Sequence, residues 1–182
     1  DPRNPDVALA CALGHAYGPQ SDRGVFRTTD GGQTWQKTLF VDENTGCSDL
    51  AMDPKNSRIL FAGMWQVEIR TWGRTSGGAG SGLFQSKDGG VTWKRLTDNG
   101  LPMAPLGKVA VAIASSNPSR VYALIETGDG VPWAGWKDHK GQSGQLWRTD
   151  DAGLTWQVVS HDRQLRGRTH YYTRHAVAPD NE

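Results

Sequence analysis

Apolar residues in this chain come in short runs, and the same kind of run returns in phase at residues 7–13, 59–65 and 121–125. Each follows a cluster of turn formers: Asp1-Pro2-Arg3-Asn4, Asp53-Pro54-Lys55-Asn56 and Ser116-Asn117-Pro118. Proline fixes one backbone torsion, and Asn or Asp hydrogen-bonds its own backbone, so such clusters close one segment and launch the next. The runs read as strands, being short, rich in β-branched and aromatic residues and bounded by Gly, Pro, Asn or Asp. In the middle unit the pattern predicts strands near 48–52, 59–65, 82–87 and 92–97, hence four per unit. Pro179-Asp180-Asn181 opens a further copy of the marker.

A second repeat runs in the same phase. Thr28-Thr29-Asp30-Gly31-Gly32-Gln33-Thr34-Trp35 returns as Ser86-Lys87-Asp88-Gly89-Gly90-Val91-Thr92-Trp93 and as Thr149-Asp150-Asp151-Ala152-Gly153-Leu154-Thr155-Trp156. The three aspartates stand 58 and 63 residues apart, about the length of one four-stranded propeller blade with generous loops. The box has a mechanical reading. Asp30, Asp88 and Asp151 accept backbone amides, Gly32, Gly90 and Gly153 permit a positive φ, and the hydroxyls of Thr34, Thr92 and Thr155 close the turn. Trp35, Trp93 and Trp156 then anchor the hairpin between sheets. The box carboxylates are read as turn structure and not as catalytic groups or calcium ligands.

Composition agrees with an all-β chain: 23 Gly and 8 Trp with only 36% apolar residues suit many short strands joined by turns. Twenty Lys plus Arg against 19 Asp plus Glu leave a net charge of +1, which supplies no field for nucleic acid. No run approaches the ~18 apolar residues of a membrane-spanning helix, so membrane insertion is not expected. The histidines, His15, His139, His161, His170 and His175, show no metal-ligand spacing, and neither a metal nor a cofactor is expected. Cys11 and Cys47 can form one bridge in an oxidising compartment, but a single pair is no framework, and they are read as small buried residues. Gly77-Gly78-Ala79-Gly80-Ser81-Gly82 lacks the helix start and Lys of a phosphate cradle and is read as a flexible loop.

These motifs resemble the Asp-box, or bacterial-neuraminidase-repeat, β-propellers. Residues 41–46, 49–54 and 171–174 look most like bacterial relatives of the sortilin propeller domain that are often labelled glycosyl hydrolases. The resemblance implies a propeller segment of about three four-stranded blades, an incomplete ring unless extended or oligomerised. The box joins the third and fourth strands, which sets blade units at 1–47, 48–107 and 108–171 and the inner strand of a further blade within 172–182, near 173–177. Unpaired edges then imply further blades or a head-to-tail assembly of copies.

On this reading function belongs to the face opposite the boxes, which carries the long loops 15–23, 41–46, 66–81, 99–107, 127–143 and 161–170. Three box tryptophans and the strand residues Trp65 and Trp147 leave Trp72, Trp133 and Trp136 in those loops, to stack on a ligand or to be buried by their own loops. Beside them lie Arg70, Arg74, His139, Arg168 and Tyr171 as candidate binding groups. The expected function is a recognition or scaffold module for carbohydrate or peptide, secreted or periplasmic. The alternative is a glycoside hydrolase, sialidase-like or xyloglucanase-like, needing two carboxylates about 5 Å or about 6.5–9.5 Å apart. The candidates are Asp42, Glu43, Glu68 and Asp138. The sialidase variant draws on arginines near Tyr171 and Tyr172 but lacks that family's Arg-Ile-Pro opening.

Overall fold

The computed structural model describes residues 1–103, 105–127, 145–165, 171 and 173–181. Its strands form three antiparallel sheets. The first holds β1 (Ala8–Ala12), β2 (Gly24–Thr28) and β3 (Gln36–Leu39) in that order. In the second, β4 (Thr45–Met52) pairs with β5 (Leu60–Arg70), which carries both β6 (Gly73–Ser76) and β7 (Gly82–Ser86), and β8 (Lys94–Leu96) closes the outer edge. The third runs β9 (Val109–Ile113), β10 (Val121–Ile125), β11 (Leu146–Thr149) and β12 (Gln157–Ser160). The fold is all-β, an incomplete ring of sheets consistent with part of a β-propeller.

The box turns repeat atom for atom. In the first, Asp30 Oδ1 accepts the Thr34 amide at 2.9 Å and Oδ2 accepts the Thr34 hydroxyl at 2.6 Å. Thr28 Oγ1 donates to Asp30 Oδ1 at 2.7 Å while accepting the Gly32 amide at 3.0 Å. Asp88 and Asp151 hold Thr92 and Thr155 in the same way. Each tryptophan folds back so that its indole N–H donates to the carbonyl of Gly32, Gly90 or Gly153. Trp93 then packs on the cluster that Val25 and Leu39 of the first sheet form with Ala62, Met64 and Phe84 of the second, and Trp156 meets Phe61 of the second sheet edge-on at 6.4 Å. Trp35 is 45% exposed.

Hydrogen bonds to the box hydroxyls and amides push Asp30, Asp88 and Asp151 down to about 2 from 3.8, the Thr34, Thr92 and Thr155 side chains being the largest cause at each. A carboxylate whose folded pKa is depressed adds stability above its unfolded pKa and loses it as pH falls through the folded one. Stability is therefore expected to drop between about pH 4 and pH 2. Thr92→Val and Thr155→Val together should move an acid-unfolding midpoint, followed by tryptophan fluorescence, to higher pH; an unmoved midpoint would count against the box carboxylates as its source.

Neighbouring sheets are latched at both ends. Near the boxes, Arg27 Nε donates to the Gly89 carbonyl at 2.9 Å, and Gln85 Nε2, at the same register in the second sheet, donates to the Ala152 carbonyl at 2.7 Å. Between inner strands, Asp49 Oδ2 accepts the Val111 amide at 3.0 Å and Ser48 Oγ donates to the Val109 carbonyl at 2.6 Å. A disulfide joins Cys11 of β1 to Cys47 of β4, with the Cα atoms 5.0 Å apart. The reading of these cysteines as unlinked small residues is corrected: the packing of β1 against β4 brings together two positions that the sequence separates by 36 residues.

Three more expectations change. β4 begins at Thr45 and not near 48. Residues 173–178 form no strand; His175 Nε2 lies 3.3 Å from the Tyr122 carbonyl, a side-chain contact where an inner strand needs a backbone ladder. The glycine-rich stretch is tied down on several sides. Gly78 bridges to Leu106, the Gly80 amide donates to Gln66 Oε1 at 2.9 Å, and the Arg95 guanidinium donates to the carbonyls of Ala79 and Ser81.

Candidate functional site

Box turns sit where β2, β7 and β11 end, so the connections at the other ends of the strands share the opposite face. What sequence reasoning treats as the loop 66–81 is largely a hairpin on that face. β5 continues past its last partner in β7, Met64↔Gly82, and pairs with β6 in the register Val67↔Ser76 to Arg70↔Gly73. Its residues alternate as strands do: Val67 is buried, Glu68 exposed, Ile69 half-buried and Arg70 exposed.

The hairpin tip presents Trp72, which is 81% exposed, so the hairpin does not bury its own tryptophan. The Arg70 guanidinium lies 5.9 Å from the Trp72 ring centroid and is paired with Glu68. Arg74 Nη1 donates to the Tyr171 hydroxyl at 2.8 Å, with its guanidinium 5.1 Å from that ring. The structure thus gathers Arg70, Trp72, Arg74 and Tyr171 along one hairpin. Trp133, Trp136, Asp138, His139 and Arg168 lie outside the described residues.

Neighbouring connections are locked to the hairpin's base. Arg23, 2% exposed, donates Nη1 to the Asn44 carbonyl at 2.6 Å and to the Val67 carbonyl at 3.2 Å, and the Gln20 amide donates to the Glu43 carbonyl at 2.9 Å. Asp42 Oδ1 accepts the Asn44 amide at 2.8 Å, which caps its own turn. Glu43 is exposed. Of the candidate acids, then, Asp42 is bound into a turn and Glu68 is held by Arg70. Asp49 lines a pocket of about 400 Å³ with Trp65, Lys108 and Arg174, but its oxygens accept the Val111 and Leu50 amides, a latch between strands.

Sequence reasoning passes over Glu126 and Lys108. Glu126 follows β10 directly, is wholly buried, and accepts the Ser76 hydroxyl of the hairpin at 2.5 Å and the Lys108 amide at 2.9 Å through Oε2. The Lys108 ammonium lies 5.1 Å from the Trp65 ring centroid; burial lowers its pKa first and the nearby Arg174 further, with Asp49 and Glu126 opposing. A carboxylate ending the apolar run Val121–Ile125 is the one signal of this the sequence carries. Among the described residues no group of three or more His, Cys, Asp or Glu is placed to hold a metal ion, and no helix is long and apolar enough to cross a membrane.

Against known proteins, the BNR/Asp-box repeat family matches residues 26–37. A xyloglucanase of Paenibacillus sp. is 26% identical over 182 residues, covering 87% of this chain and 15% of the relative. A xyloglucanase of Hypocrea jecorina is 26% identical over 175 residues, covering 88% of this chain and 18% of the relative. The crystal structure of a Niastella koreensis GH74 enzyme superposes with a TM-score of 0.51 at 19% identity, over 77% of this chain and 18% of that one, a likeness of fold. The chain therefore spans less than a fifth of the length of these relatives. The expected kinship with sortilin-like propellers, read from residues 41–46, 49–54 and 171–174, is corrected, because the similarity over most of the chain runs to xyloglucanases. The comparisons also favour the hydrolase reading over a pure recognition module; for an enzyme containing this chain they point to a glycoside hydrolase.

Proposed function

We propose that this chain is part of a xyloglucan-degrading glycoside hydrolase, that its three sheets are propeller blades, and that the β5–β6 hairpin meets the polysaccharide through Trp72. The observation that carries the reading is an 81% exposed tryptophan at the tip of a paired hairpin, in a chain that over most of its length is similar to xyloglucanases. An exposed indole costs solvation unless a ligand covers it, and its flat apolar face suits the axial C–H face of a pyranose ring. Arg70 stacks beside it, and Arg74 with Tyr171 extends the surface with hydrogen-bonding groups. Asp42 is bound into its turn and Glu68 is held by Arg70, so neither is assigned as the acid or the base.

Trp72→Ala is expected to weaken binding of a xyloglucan oligosaccharide about 30-fold, the loss of roughly 2 kcal/mol typical of an aromatic anchor, with the melting temperature unchanged. Titration calorimetry reads the affinity. Equal affinity of the variant and the unaltered protein would remove Trp72 from the site, and no binding by either would remove the xyloglucan reading.

A further inference from the structure

The hairpin leaves the second sheet at Trp65 and its return strand ends at Ser76; the two are 2% and 0% exposed. Trp65 Nε1 donates to Ser76 Oγ at 2.9 Å, Ser76 Oγ donates to Glu126 Oε2 at 2.5 Å, and the same carboxylate oxygen accepts the Lys108 amide at 2.9 Å. A serine hydroxyl has one proton to give and lone pairs to receive. Here it receives from its own sheet and gives to the next, so a carboxylate of the third sheet grips the root of a hairpin that grows from the second.

The position of this acid is informative. Leu60 pairs with Ser86 and Val121 pairs with Thr149, each the first residue of a box. Trp65 and Glu126 thus hold the same register in their sheets, one filled by an indole and the other by a buried carboxylate. Burial of a carboxylate carries a desolvation cost that its hydrogen bonds must offset, and an apolar residue of similar size would commonly be no less stable. The backbone is shaped around it: a side chain at Gly107 would collide with the Glu126 carboxylate, and the Gly107 amide donates to the Glu126 carbonyl at 2.8 Å.

We propose that Glu126 is a positioning residue: by holding Ser76 it fixes the root of the β5–β6 hairpin and so aims Trp72 at the polysaccharide. This rests on the hairpin being the xyloglucan contact. Ser76→Ala cuts the strut with little change in volume, Glu126→Ala removes its far end, and Glu126→Gln keeps an oxygen able to accept both the Ser76 hydroxyl and the Lys108 amide. Hydrogen exchange of the amides in 66–76 and affinity for a xyloglucan oligosaccharide are measured on all three and on Trp72→Ala. Ser76→Ala and Glu126→Ala should speed hairpin exchange about tenfold and weaken binding roughly tenfold. Glu126→Gln should restore both, and Trp72→Ala should weaken binding without altering exchange. Unchanged hairpin exchange in Ser76→Ala overturns the proposal, and that variant decides alone if Glu126→Ala does not fold. So does faster exchange with undiminished binding. Absence of binding by the unaltered protein defeats the xyloglucan reading instead, a result distinct from either.

Discussion

Reduction of the Cys11–Cys47 bridge, or its removal in a Cys11→Ala/Cys47→Ala variant, should lower the melting temperature by roughly 10 °C. The bridge closes a loop of 36 residues, and in the chain-entropy account such a loop removes about 4 kcal/mol of freedom from the unfolded chain. In a protein of this size each kcal/mol moves the midpoint by about 2–4 °C. Its location raises the stakes, because the bridge ties β1 to β4, the innermost described strands of the first two sheets. Calorimetry with and without reductant reads the effect, and equal midpoints would show that sheet packing alone holds the two strands. The bridge also supports the proposal that the protein works outside the reducing cytoplasm, secreted or periplasmic. Thiol labelling of the protein taken directly from its own cells should find neither cysteine free; two labelled thiols would argue for a reducing compartment.

Arg23→Met is expected to cost about 3 kcal/mol and to loosen the face that carries the hairpin. The guanidinium is buried at the start of the second strand of the first sheet, where its Nη1 serves the carbonyls of Asn44 and Val67 and its Nη2 lies 3.4 Å from the Gly18 carbonyl. Burial lowers its pKa and Asp42 opposes that shift, so the charge has one nearby carboxylate to favour it. A methionine fills much of the space but gives the Val67 carbonyl no donor, and a buried carbonyl left unpaired costs about 1–3 kcal/mol, while the Asn44 carbonyl keeps the Val67 amide at 3.1 Å. A urea midpoint reads the loss. A change below about 1 kcal/mol would mean that water replaces the guanidinium at both carbonyls.

What the sequence made legible follows from how far apart the interacting atoms lie along the chain. A box turn is closed by Asp30 and Thr34, four residues apart, so its chemistry is written in one contiguous motif, and the all-β architecture follows from its three copies. The hairpin was half legible. The alternation of Gln66, Val67, Glu68, Ile69 and Arg70 carries a strand's period, but Gly73 and the glycines from Gly77 onward weaken the strand signal, and the stretch reads as loop. Side chains from elsewhere supply the missing order: Gln66 and Arg95 hold the glycine-rich segment, and Glu126 reaches Ser76 across 50 positions. No local pattern encodes contacts of that span. The same holds for Cys11 and Cys47, and for Tyr171, which reaches Arg74 from 97 positions away. The candidate residues Arg70, Trp72, Arg74 and Tyr171 are types that suit a carbohydrate or a peptide; only the fold brings them to one hairpin.

The central claim, that the β5–β6 hairpin is the polysaccharide contact, is tested most directly by mapping a xyloglucan oligosaccharide onto the protein by NMR. Titrated into the isotope-labelled protein, the oligosaccharide should shift the indole N–H signal of Trp72 and the amides of residues 66–76 and Tyr171 together, leaving the signals of the three box turns in place. Shifts centred on the box turns, or spread over the surface with Trp72 unmoved, would contradict it.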